Sequence, residues 1–156
     1  LAARAQPDTT GMDSVTLLFS SNRNVPMQDV SQIASGGEIA RLMLSLKALL
    51  SRHRNLPTII FDEIDTGVSG TMAEKMAIVM QQMSDRCQVI CITHLPQIAA
   101  CGKNHYRVYK SESEAGTASH IVLLTKEERI TEIANMLSGA ELTEAAINNA
   151  RSLLKL

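Results

Sequence analysis

The chain has 156 residues, a net charge of −1 and 45% apolar residues. That is the balance of a single globular domain with a core of its own. Fifteen Lys and Arg against sixteen Asp and Glu leave no basic field of the kind that announces a nucleic-acid partner. No apolar run approaches the roughly 18 residues of a membrane span. No Trp, two Tyr and two Phe argue against a base-stacking platform.

Residues 1–11 are small and polar and read as a lead-in. Residues 14–20, β-branched and apolar, predict a strand, and residues 22–33 a loop. Ile39, Leu42, Met43, Leu46, Leu49 and Leu50 then recur at helical spacing and make one apolar face. Ser35, with Glu38 three residues on, offers a capping box at the start of that helix, and Pro57 breaks the chain beyond it. Residues 58–61 are a short apolar β run. Thr71 with Glu74 is a second capping box, opening a helix to Ser84. Residues 88–93 are a further apolar β run. Strand, helix and strand in that order predict a βαβ unit whose parallel sheet is buried on both faces. Past Gly102, residues 106–109 and 120–124 read as strands joined as a hairpin through the polar stretch 111–118. A Thr125–Glu128 capping box opens a helix that stops at Gly139, and Thr143 caps a last helix ending at Leu154.

The chemistry concentrates at strand ends. The run Thr58-Ile59-Ile60-Phe61 stops abruptly in Asp62-Glu63. Ligands of parallel sheets sit beyond the carboxyl ends of the strands. One carboxylate there suits Mg²⁺, which keeps most of its waters. A second can orient or deprotonate an attacking water. The alternative is a strand leaving the core with two solvated acids. His94 directly follows the second β run, so a right-handed parallel crossover brings it to the same edge as Asp62 and Glu63. Ser35-Gly36-Gly37-Glu38 opens a helix with consecutive glycines, where free N–H groups favour an anion, although an ordinary capped helix start reads the same way.

Two readings fail on geometry or spacing. Cys87 and Cys91 flank a strand rising ~3.3 Å per residue, so they stand about 13 Å apart and cannot share a zinc ion. Three cysteines without framework spacing are better read as thiols in a reducing compartment. Met72, Met76, Met80 and Met83 form a helical stripe that resembles a soft interaction surface, but its spacing reads as core-facing. None of the eight glycines begins a G-x-x-x-x-G-K-[ST] phosphate loop.

Taken together, the Ser-Gly-Gly-Glu signature, a strand ending in Asp-Glu, then Asp65, then a strand ending in His resemble the second lobe of an ABC-type ATPase head of the SMC branch. Residues 34–41, 61–70, 93–100 and 132–139 are similar, closer still, to the RecN family of bacterial SMC-like DNA-repair proteins. Asn22-Arg23-Asn24-Val25 departs from that family, which tends to read Asn-Pro-Gly there.

The resemblance implies an α/β fold: the C-terminal lobe of a P-loop ATPase head, a parallel sheet flanked by helices, with a C-terminal hairpin and helices. Residues 1–12 would be the stub of a coiled coil or a linker, and residues 13–156 the lobe. Asp62 would hold Mg²⁺ through water, and Glu63 would position the attacking water. Ser35, Gly36, Gly37 and Glu38 would contact the γ-phosphate of ATP bound to the opposite head. Asp65 would lie in a loop at the head–head interface, and His94 would be the switch histidine. ATP and Mg²⁺ are the implied cofactors. The implied partners are the N-terminal lobe of the same protein, a second head and DNA, in a bacterial cytoplasm at the nucleoid and away from membranes. A self-standing α/β interaction module and the head lobe of another SMC-type ATPase are the rival readings.

Overall fold

A computed structural model of the chain describes residues 2–9, 11–20, 23–32, 36–53, 56–113, 116–139 and 141–156. Strand β1 (Ala2–Asp8) pairs antiparallel with β2 (Gly11–Ser14). Residues 2–8, expected as a lead-in or coiled-coil stub, are therefore extended, because residues 11–14 supply a backbone partner. Gly11 takes the positive φ of 103° on the return strand, a conformation in which a side chain would be strained. The strand expected over 14–20 is broken into β2 and a two-residue β3 (Leu18–Phe19), which pairs with β4 (Gln28–Asp29). A turn holds Arg23 and Asn24 between them, and the Ser20 hydroxyl donates to the Val25 carbonyl at 2.7 Å. The departure from the family pattern thus falls in a turn, with Asn22 itself outside the described residues.

Helix α1 (Gly36–His53) follows the expected periodicity, yet only Leu44 of its apolar residues is fully buried. Ile39, Met43, Leu46, Leu49 and Leu50 stay exposed among the described residues. Strand β5 (Thr58–Asp62), helix α2 (Gly70–Ser84) and strand β6 (Gln88–Ile92) form the expected βαβ unit. The two strands are parallel and in register from Thr58↔Gln88 to Asp62↔Ile92. Helix α2 starts one residue before Thr71, after the extended Ser69, which makes no side-chain cap bond. The Thr71–Glu74 capping box does not form, because Gly70 at φ 54° already turns the chain into the helix.

Side chains alternate along β5, so Ile59 and Phe61 point under α2 into a core with Ala73, Met76, Ala77, Met80 and Met83. The methionine stripe faces this core, with Met72 at its edge. The opposite face is not covered by described residues. Ile60 is 55% and Ile92 52% exposed, which corrects the expectation of a sheet buried on both sides.

Helix α3 (Pro96–Cys101) was not expected; its length of six residues is too short for periodicity, although Pro96 at its first turn signals a start. It joins two cores, giving Ile98 to the first and Ala100 to a second. Strands β7 (Tyr106–Ser113) and β8 (Gly116–Leu123) form an antiparallel hairpin longer than the sequence suggests, paired from Tyr106↔Leu123 to Ser113↔Gly116. Tyr106, Val108, Ile121 and Leu123 share one face and are all exposed.

Helix α4 (Lys126–Ser138) carries the expected capping box. The Glu128 N–H donates to Thr125 Oγ1 at 3.3 Å, and the Thr125 N–H donates to Glu128 Oε2 at 2.8 Å. It ends at Gly139, φ 73°. Helix α5 (Glu144–Leu154) is capped by Thr143, whose Oγ1 accepts from the Ala146 N–H at 3.1 Å. Ala134, Ala146 and Ala150 let α4 and α5 pack closely around Ile133.

Arg129 of α4 fastens the second core to the first. Its guanidinium donates to the Ala100, Gly102 and Lys103 carbonyls, satisfying the free carbonyl end of α3. Beside it, His105 has a buried Nδ1 without a hydrogen-bond partner among the described residues. Burial pushes its imidazole below the ordinary 6.5, the Arg129 cation adds to that, and Glu132 opposes it.

The fold therefore disfavours the protonated ring, while the unfolded chain takes the proton near 6.5. Above that pH both states are neutral and His105 contributes nothing; below it the native state loses stability as pH falls. The urea midpoint should drop between pH 7 and 5.5 in the parent chain and drop less in His105→Gln.

Candidate functional site

The parallel register of β5 and β6 decides the geometry. Asp62 is the last residue of β5 and lies opposite Ile92, the last of β6. The Glu63 N–H donates to the Ile92 carbonyl at 3.1 Å, extending the pairing by one bond. Asp62, Glu63, Thr93 and His94 thus leave the sheet at one end, as the crossover requires. Asp62 and Glu63 are both exposed, so their carboxylates are open to a cation or a water.

Glu63 is one of only two non-glycine residues with positive φ among the described residues, at 46°. The turn behind it fixes this conformation. Its carbonyl accepts from the Thr66 N–H at 3.2 Å and from the Thr66 hydroxyl at 2.9 Å, and the Val68 N–H donates to the Asp65 carbonyl at 3.0 Å. A left-handed residue other than glycine is a strained conformation that clusters at functional sites.

Asp65, in the loop after β5, is fully buried. Its Oδ2 accepts a short hydrogen bond from the Thr93 hydroxyl, and His94 Nδ1 lies 3.6 Å from the same oxygen. Thr93 Oγ1 also accepts from the Leu95 N–H at 3.0 Å. Burial and, after it, the Asp65 charge push the Cys91 thiol up to about 11, so it is inert rather than nucleophilic. Thr93 was not singled out in the sequence; a hydroxyl residue two before Leu95 and at a strand end is the turn signal that marks it.

The glycine pair meets this loop from the other side. Gly36 and Gly37 open α1, with Glu38 half-buried in its first turn. A Cβ on Gly37 would stand 3.2 Å from the Gly67 carbonyl oxygen, so glycine permits the close approach of helix and loop. Ser35, and with it the Ser35–Glu38 capping box, lies outside the described residues.

A shallow cavity of about 280 Å³ opens between the first half of α1 and the end of β5, lined by Gly36, Met43, Lys47, Phe61 and Asp62 among others. Lys47 was also missed, since it reads as an interruption of an apolar face. Its ammonium stands 5.0 Å from the Phe61 ring centroid and 3.4 Å from the Ile60 carbonyl oxygen. Cys87 is buried, and Cys91 and Cys101 are half-buried; all three are free thiols.

No family model matches the chain. The chain is 41% identical to DNA repair protein RecN of Bacillus subtilis over 145 residues, covering 93% of this chain and 25% of that protein. RecN of Deinococcus radiodurans is 42% identical over 154 residues, 99% of this chain and 27% of its own length. RecN of Vibrio cholerae is 37% identical over 150 residues, covering 96% and 27%. The chain spans about a quarter of the length of these curated relatives. Among solved structures, the Smc head with coiled coil and joint from Pyrococcus yayanosii superposes with a TM-score of 0.61 at 23% identity, over 72% of this chain and 21% of that one. A head from a study of ATP-driven dimerization and DNA-stimulated activation of SMC ATPases gives 0.56 at 19% identity, over 76% and 70%. At these identities the likeness is one of fold: the chain has the α/β fold of SMC head domains.

The left-handed backbone at Glu63 has a measurable cost. Glu63→Gly should be more stable than Glu63→Ala by about 1–2 kcal/mol, the penalty of a Cβ in that region. Urea denaturation of the two variants checks it, and equal midpoints would mean that residue 63 is not held left-handed.

Proposed function

Over the segment it spans, the chain belongs to the RecN family, and from that premise we propose that it is the C-terminal lobe of an SMC-like ATPase head. In the whole protein, ATP binding and hydrolysis between two heads would couple to the handling of double-strand breaks in recombinational repair. The single observation carrying the reading is the parallel register, which sets Asp62, Glu63 and His94 beyond one end of β5 and β6. The bacterial cytoplasm is the compartment this role implies.

The donor set fits the ions concerned. An exposed strand-end carboxylate at Asp62 matches a hard cation that retains its waters. Held there, Mg²⁺ would offset the negative charge of the nucleotide's phosphates. Asp62 would hold that ion, Glu63 would take the proton of the attacking water, and His94 would hydrogen-bond the terminal phosphate. The start of α1, with Ser35, Gly36, Gly37 and Glu38, would offer backbone N–H groups to the phosphate of the opposite head. Hydrolysis would remove the contact that holds two heads together.

The exposed apolar faces support a partner lobe. Ile60, Ile90 and Ile92 on the open side of the sheet, and Tyr106, Val108, Ile121 and Leu123 on the hairpin, are the surface an N-terminal lobe bearing the phosphate loop would cover.

In the full-length protein, Glu63→Gln should still bind ATP and close, but hydrolyse ~10²–10⁴-fold more slowly, because an amide cannot accept the water's proton. Asp62→Asn should close poorly, because the metal site is weakened. Light scattering in ATP, beside phosphate release, separates the two. Near-normal hydrolysis by Glu63→Gln would remove Glu63 from the role of base.

A further inference from the structure

We infer that Asp65 is a positioning residue for His94: it holds the ring with Nδ1 toward the buried carboxylate and so presents Nε2 outward. The role of the outward nitrogen rests on the nucleotide reading above; the placement of the ring does not.

Three contacts converge on this arrangement. Asp65 is 0% exposed, and its Oδ2 faces both the Thr93 hydroxyl and His94 Nδ1, the latter at 3.6 Å. Thr93 in turn accepts from the Leu95 N–H at 3.0 Å. Thr93, before His94, is bonded to the carboxylate, and Leu95, after it, is bonded to Thr93, while the His94 side chain itself is 64% exposed. A histidine held only by its own backbone would sample several rotamers. One flanked by two pinned neighbours and facing a carboxylate has both its orientation and its tautomer restricted.

The second carboxylate oxygen sharpens the case. Asp65 Oδ1 is buried and has no hydrogen-bond partner among the described residues. A buried carboxylate that satisfies only one oxygen is costly for stability alone. An Asn could make the Thr93 bond without a buried charge. What the charge adds is attraction for a proton on the facing nitrogen, and His94 Nδ1 is the basic nitrogen that faces it.

The carboxylate also links the two loops of the site. Asp65 sits two residues after Glu63 in the turn that holds Glu63 left-handed, and its carbonyl accepts from the Val68 N–H. A shift of the β5 loop would therefore be felt at His94 through one side chain.

The test uses the chain labelled with ¹⁵N-histidine and long-range proton–nitrogen correlation of the His94 ring. The parent should show Nδ1 protonated in the neutral ring. The Nε2–H tautomer should gain in Asp65→Asn and dominate in Asp65→Ala. Thr93→Ser, which keeps the hydroxyl, should match the parent. Unchanged ring signals in Asp65→Asn, which preserves the side-chain shape, would overturn the proposal even if Asp65→Ala fails to fold. In the full-length protein, Asp65→Asn should lower kcat for ATP roughly 10–100-fold with KM near the parent value. A tautomer shift in Asp65→Asn, together with a full-length parent that hydrolyses no ATP, would uphold the positioning role and overturn the nucleotide reading instead.

Discussion

The hydrogen-bonded register between β5 and β6 sets both the core under α2 and the position of the site residues. Five parallel pairs, Thr58↔Gln88 to Asp62↔Ile92, fix where both strands end. Because they end together, the carboxylate pair and the His94 loop emerge side by side. A slip of one residue would send Ile59 and Phe61 to the open face and break the core under α2. The same slip would separate Glu63 from Ile92, whose carbonyl holds the turn. Packing and site geometry are thus two readings of one set of backbone bonds.

The uncovered surfaces follow from the same sheet. A two-stranded parallel sheet with a helix on one face is half of the arrangement in which such sheets are found. Covering a half-exposed isoleucine such as Ile60 or Ile92 would contribute roughly 1 kcal/mol, half the value of full burial. The exposed stripe of α1 and the bare face of the hairpin add to that surface. The segment has a sound core around α2 and a second around α4 and α5, and between them a large apolar area without cover among the described residues. The proposed N-terminal lobe would supply both the cover and the phosphate loop.

The legible features were those set by local chemistry or by strong periodicity. The Thr125–Glu128 box, the Thr143 cap and the Gly139 stop form as the sequence dictates, and the βαβ unit and the methionine core follow from apolar spacing. Tertiary facts were not legible. An apolar stripe on α1 says that something packs there, not that the packing element belongs to this chain. The buried Asp65 could not be told from a solvated acid, since its partner Thr93 is 28 residues away. Gly70 displaced the Thr71 box because a positive φ is a backbone property that no capping pattern reports. Lys47 hid inside an apolar face, where its ammonium lies over Phe61.

The central claim is that this chain supplies half of a nucleotide site. It is tested most directly by mixing the chain with a separately produced N-terminal lobe that carries the phosphate loop, and measuring phosphate release from ATP and Mg²⁺. Neither half should turn over ATP alone, the mixture should, and Glu63→Gln in this chain should abolish the gain. A mixture that forms a stable complex yet releases no phosphate would contradict it, as would turnover unaffected by Glu63→Gln.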